Sequence, residues 1–192
     1  MKQCIALIVL VFLSVPGMGQ QKTLVSGDID HGGYGGPELK LTALNGESEL
    51  LVGGRGGWII DHTFIIGGGG YGLTTEVPMS DSTLLNFGYG GLALEFIVQS
   101  DELIHFTVGT LIGAGGTGLR DRVLDENFTD EFETDPFFVL EPRVTVELNV
   151  TDFFRIGAGV SYRYVSGVDK FNLSESELSG ISGLIVFKFG AF

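Results

Sequence analysis

The side chains best suited to proton transfer or metal ligation are three histidines, His31, His62 and His105. A hydrolytic site would need one of them to orient a nucleophilic Ser and be oriented by an acid. No local stretch brings such a trio together, and each histidine reads as structural. His62 falls in a tight polar turn, and His105 shares its strand parity with Thr107. Asp28, Asp30 and His31 offer oxygen and imidazole ligands for a cation, but a solvated lead-in is the simpler reading. The densest acidic run is Asp121, Asp125, Glu126, Asp130, Glu131, Glu133 and Asp135, interleaved with Phe128 and Phe132. Such a loop can gather divalent ions or a partner protein, or simply stay hydrated, which is the reading preferred. Gly53–Gly57 and Gly67–Gly72 lack the Gly-Lys-Ser/Thr ending of a phosphate-binding loop. The sequence therefore predicts no enzyme, no cofactor and no metal centre.

The elements that would carry these residues begin with an export signal. Lys2 precedes an apolar run from Ile5 to Val15, and Gly17 and Gly19 give a small-x-small cleavage site, so residues 1–19 read as a signal peptide. Cys4 lies inside it, which leaves the mature chain without thiol chemistry. A lead-in over 20–32 and one domain over 33–192 complete the expected organisation. Removing Lys2 leaves 10 basic against 24 acidic residues, a net charge of −14 that excludes binding to nucleic acid through its phosphates.

Past Gly32 the chain divides into period-two segments, with strands predicted at 34–44, 48–60, 63–75, 83–98, 102–116, 137–149, 152–165 and 180–192. In the sixth, Phe138, Leu140, Pro142, Val144, Val146 and Leu148 oppose Val139, Glu141, Arg143, Thr145 and Glu147. In the fourth, Phe87 and Tyr89 share the parity of Glu95, which suggests a bulge or a misplaced strand end. Tight turns at Asp61–His62, Gln99–Asp101 and Asn149–Asp152 alternate with longer links at Glu76–Ser82, Leu119–Pro136 and Ser166–Ser179, and Asn45–Glu47 is short. No mature segment is long and apolar enough for a membrane helix, so a membrane role requires a closed sheet. The expectation is an all-β, eight-stranded antiparallel up-and-down transmembrane barrel with its short turns periplasmic.

A soluble lipocalin-like barrel would put the apolar face inside, and a membrane barrel puts it outside. The charged face is sparse, and the apolar face gathers Trp58, Phe153, Phe154, Tyr164 and Phe192 near strand ends, as an interfacial girdle requires. The lumen is then expected to hold Glu38, Lys40, Arg55, Glu95, Glu141, Arg143, Glu147, Arg155, Arg163 and Lys188. Gly67 to Gly70, Gly88, Gly90, Gly91, Gly157 and Gly159 are expected to make room beside them. Buried charges must pair, so Glu141, Arg143, Glu147, Arg155 and Arg163 are expected to form a salt-bridge plug. The alternative is a narrow path for ions or small solutes.

The leader, the Gly/aromatic strands, the stretch Glu141-Pro-Arg-Val-Thr-Val-Glu-Leu-Asn-Val-Thr, the stretch Phe153-Phe-Arg-Ile-Gly-Ala-Gly-Val-Ser-Tyr-Arg-Tyr and the terminal Phe resemble small outer-membrane β-barrel proteins of the Bacteroidota type. The pattern over 33–192 is broadly similar to the OmpA-type and OmpX-type barrels. That resemblance implies insertion by the barrel-assembly machinery and contact with outer-membrane lipid, lipopolysaccharide and other outer-membrane proteins, and it fixes no activity. One departure is that Lys188 and Gly190, not Phe187 and Phe189, share the parity of Phe192. Phe192 is therefore expected at the periplasmic rim.

Overall fold

Each alternating run becomes one strand, and the strands close on themselves. A computed structural model describes residues 30–44, 46–74, 77–78, 83–121, 134–170 and 173–192. The predicted signal peptide and all but Asp30 to Gly32 of the lead-in lie outside these residues, as do Asp125, Glu126, Asp130, Glu131 and Glu133. The barrel strands are β1 (His31–Leu44), β2 (Glu47–Ile60), β3 (Phe64–Leu73), β4 (Thr83–Val98), β5 (Ile104–Asp121), β6 (Thr134–Thr151), β7 (Phe154–Ser166) and β8 (Gly180–Ala191). Val77–Pro78 adds a short pairing to Leu84 and Leu85, and a single helical turn, α1 (Glu175–Leu178), precedes β8.

Each strand pairs antiparallel with the next, and β8 returns to β1 from Gly33 opposite Ala191 to Thr42 opposite Ser182. Closure leaves no open edge, the condition for a sheet in lipid. Two of the prolines inside strands, Pro37 and Pro142, mark gaps in these ladders. Pairing of β1 with β8 skips Gly36 and Pro37, and pairing of β6 with β7 skips Glu141 and Pro142. A proline has no N–H to donate, so a closed sheet must leave a rung unmade there.

Short and long connections alternate around the barrel. Asp61 and His62 turn with φ 53° and 52°, consecutive left-handed residues that suit the twist of a two-stranded hairpin. Gly46 takes φ 80° in the short link between β1 and β2, where a side chain would be strained. β5 and β6 run further than alternation predicts, which shortens their link to 122–133.

The expected bulge in β4 is absent. Pairing runs unbroken from Thr83 opposite Asp121 to Val98 opposite Phe106, and on the other side from Phe64 opposite Phe96 to Gly72 opposite Gly88. Phe87 and Tyr89 share parity with Glu95 because all three are buried in the lumen. The register shift falls instead between Asn149 and Thr151, at a turn.

Orientation follows from burial. Along β6, Asp135, Phe137, Val139, Glu141, Arg143, Thr145 and Glu147 are buried, and the residues between them are exposed. Among the described side chains, no Asp, Glu, Lys or Arg occupies an outward strand position. Leu41, Phe106, Val144, Val160, Tyr162, Ile181 and Phe189 form part of a continuous outward apolar belt. From Phe138 to Val150 this belt is roughly 30 Å tall, at ~3.3 Å per residue and ~40° of tilt. Gly68, Gly70, Gly88 and Gly90 face outward, not into the lumen as expected: alternate members of Gly67–Gly70 serve opposite faces, and Gly88 and Gly90 flank the inward Tyr89.

Candidate functional site: the lumen and its two mouths

The lumen is filled in three layers, and the middle one is ionic. The Glu38 carboxylate on β1 accepts from Arg143 Nη1 through both oxygens, at 3.0 and 2.9 Å, and takes a third bond from Tyr71 OH. Arg55 Nη1 donates to Glu95 Oε1 at 3.1 Å, and its Nε donates to Tyr71 OH at 3.2 Å. Tyr34 OH shares Glu95 Oε1 at 3.1 Å. Lys188 Nζ bridges Glu95 Oε2 at 3.0 Å and Glu147 Oε1 at 2.8 Å. His105 Nε2 lies 3.5 Å from the other Glu147 oxygen. Above these, Lys40 Nζ pairs with Glu141 at 2.5 Å, with Tyr89 OH donating to the same carboxylate. Lys40 Nζ also sits 3.2 Å from the centroid of the Tyr71 ring, a cation–π contact in a desolvated site. Gly69 makes room for this layer, since a Cβ there would come within 3.3 Å of Arg55 Cγ.

All ten charged residues singled out in the sequence are buried in this interior. Their partners differ from the expectation. The run Glu141, Arg143, Glu147, Arg155 and Arg163 forms no chain of pairs among themselves. Successive same-face residues on one strand stand ~7 Å apart, whereas side chains from facing walls of a narrow barrel meet head-on. Thus Glu141 pairs with Lys40, Arg143 with Glu38, and Glu147 with Lys188.

The roof, at the end of the long links, is apolar and aromatic. Leu44, Leu51, Phe87, Leu111, Phe137, Val139, Val165 and Leu178 form one cluster with Tyr71 and Tyr89, and the Phe87 and Phe137 rings stack at 5.3 Å. Leu178 arrives from α1, outside the barrel wall, and is fully buried. Arg163 Nε donates to its carbonyl at 2.8 Å, and the guanidinium lies 5.1 Å from the Phe87 centroid. The turn is closed by Glu177, which accepts from Ser174 N at 2.7 Å. That backbone bond and the Ser174 hydroxyl hold the Glu177 carboxyl below its ordinary pKa. The pattern Ser174-x-x-Glu177 is a capping-box signal that could have revealed this helix from sequence.

Asp135, placed by sequence in the exposed acidic loop, is instead buried inside the barrel wall. Its Oδ2 accepts from Asp169 N at 2.8 Å and Lys170 N at 2.6 Å, so it staples the β7–β8 link across the mouth. Asp121 contributes the last backbone position of β5. Asp135→Ala is expected to cost about 1–3 kcal/mol, the range for orphaning buried donors. Hydrogen exchange checks it, with the Asp169 and Lys170 amides losing protection ahead of the strands.

The floor, at the short-turn end, is Tyr34, Ile59, Ile65, Ile97 and Phe192. Phe192 lies half-buried at the short-turn rim, as expected, but it faces inward and so takes no part in the outward aromatic girdle. Its ring stacks on Tyr34 at 6.5 Å and under Arg155 at 3.9 Å, as inward parity demands. Among the histidines, His62 is exposed 3.5 Å from Asp30, His31 lies beside Trp58, and His105 is buried. Among the described residues, no group of three or more His, Cys, Asp or Glu is gathered as a metal site. Sequence reasoning missed Tyr34, Tyr71, Tyr89 and the buried Glu49, all of which share inward parity with the charges.

Eight strands, a charged lumen and an apolar exterior define the fold class of the small outer-membrane β-barrels. The solved structures similar to this chain belong to it. Neisserial surface protein A is 13% identical with a TM-score of 0.55, covering 86% of this chain and 99% of that one. The Yersinia pestis attachment invasion locus protein Ail, in complex with the heparin analogue sucrose octasulfate, is 11% identical with a TM-score of 0.52, covering 83% and 97%. The N-terminal β-barrel domain of Pseudomonas aeruginosa OprF is 11% identical with a TM-score of 0.50, covering 82% and 96%. No protein-family model and no curated protein sequence matches the chain.

Proposed function

We propose that this chain is a non-enzymatic, closed barrel of the bacterial outer membrane, serving as an envelope structural protein or as a subunit of a larger outer-membrane complex. The observation that carries this reading is the inversion of polarity. Lys40, Glu95, Glu141, Arg163 and Lys188 are almost wholly buried, while Leu41, Val160 and Ile181 stand more than half exposed. In water that arrangement exposes a large apolar surface and buries expensive charges. In lipid it places each group in its preferred medium. The soluble lipocalin-like alternative requires the opposite arrangement. Export by the signal peptide, assembly by the barrel-assembly machinery and contact with lipopolysaccharide complete this reading, as does the sequence resemblance to Bacteroidota-type barrels.

A closed role is favoured over a narrow pore by the filling of the lumen. Aromatic roof, ion-paired middle and Phe192 floor each cross the path of a solute. Planar-bilayer recording with the purified barrel is expected to give no steady conductance. A stable open level abolished by Lys188→Met would establish the pore instead.

A further inference from the structure

The short-turn mouth, outside the Phe192 floor, holds a cavity of about 790 Å³. Its size suits a small-molecule site, typically ~300–1,000 Å³. Arg155 and Phe192 line it on the side of the barrel interior, and Asp61, Asp101, Asp152 and Asn149 line it at the turns.

The charges of the lumen single out Arg155. Lys40, Arg55, Arg143 and Lys188 are matched by Glu38, Glu95, Glu141 and Glu147 within 4.0 Å. Arg163 is engaged at the roof by the Leu178 carbonyl. Arg155 is 7% exposed, and no carboxylate among the described residues pairs with it within 4.0 Å; Glu147, engaged by Lys188, acts on it only at longer range. Across the two ladders its neighbours are Asn149 and Lys188, the second a like charge. Its guanidinium lies 3.9 Å from the Phe192 ring centroid, which fixes the plane of the fork and leaves N–H donors for an oxyanion. A carboxylate matches that fork bidentately. The three aspartates at the turns then choose among carboxylate ligands. They repel a simple anion on its way in and attract one that carries its own ammonium group.

We propose that this mouth binds a short basic peptide, carboxyl terminus first, with the terminal carboxylate on Arg155 and the ligand's cationic groups against Asp61, Asp101 and Asp152. The site requires only the barrel's mouth and stands whether or not the lumen conducts.

Titrating the isotopically labelled barrel in lipid nanodiscs with Gly-Gly-Lys, followed by NMR, tests this. Saturable shifts are expected at the amides of 149–155, and the carboxy-terminal amide of the same peptide is expected to bind about tenfold or more weakly. That factor corresponds to one charge-assisted hydrogen bond. Arg155→Gln is expected to erase the difference between acid and amide, and Asp101→Asn with Asp152→Asn to weaken both. Acetate at equal concentration is expected to give no saturable shift. The acid–amide comparison uses the unaltered protein, so it stands even where a variant folds poorly. Equal binding of acid and amide, no saturation by either, or acetate binding as well as the peptide would overturn the proposal.

Discussion

The Glu95→Ala barrel is expected to lose about 3–5 kcal/mol of stability, the usual cost of removing one partner from a buried ion pair. Urea unfolding in lipid vesicles measures it. Glu95 is 1% exposed and serves three donors at once: Arg55 and Tyr34 on one oxygen, Lys188 on the other. Without it, the nearest carboxylate to Arg55 is Glu38 at 4.0 Å, already occupied by Arg143, and Lys188 keeps only Glu147. The matching control removes a whole pair. Lys40→Met with Glu141→Leu and Tyr89→Phe deletes the charges and the hydroxyl that faces them, and is expected to stay within about 2 kcal/mol of the parent. Lys40→Met alone is expected to cost more than the triple change, because it strands Glu141. A loss below about 1 kcal/mol for Glu95→Ala would mean that water screens the layer freely, and would count for the pore.

How far the sequence reached follows from what period two can and cannot encode. Each strand buries one face, so parity alone assigned Glu141, Arg143 and Glu147 to the same side as the buried Thr145. Parity carries no information on which strands face one another across the lumen. Lys40 and Glu141 are 101 positions apart, and only the closed register brings them together. Local reasoning therefore paired neighbours along β6 and β7 and missed the cross-barrel partners. The same limit made Phe87 and Tyr89 look like a fault in β4. A lumen this narrow has an ionic centre and apolar ends, so inward residues need not be polar at every level. Asp135 was assigned to the loop by composition, and nothing local shows that its carboxylate caps two amides 34 and 35 residues away.

The outward face supplies the largest test of the membrane reading. Val144 and Val160 pair directly across β6 and β7, and both stand exposed, at 44% and 57%. They lie midway along the apolar belt, which on β6 runs from Phe138 below the long links to Val150 at the turns. At that depth in lipid an arginine has neither water nor a carboxylate to meet. Val144→Arg is accordingly expected to destabilise the barrel by about 2–4 kcal/mol in vesicles, as charged residues do at a bilayer midplane. Val160→Arg is expected to behave alike, while Ser48→Arg, at the upper end of β2, is expected to cost about 1 kcal/mol or less. The depth dependence separates lipid from simple sheet disruption. In a barrel facing water all three substitutions would be nearly neutral, since surface changes there stay within about 0.5 kcal/mol. Equal small losses at Val144, Val160 and Ser48 would therefore turn the belt into an interface with protein or solvent. A graded loss peaking at Val144 and Val160 requires a medium that is apolar at the middle of the barrel and wet at its ends.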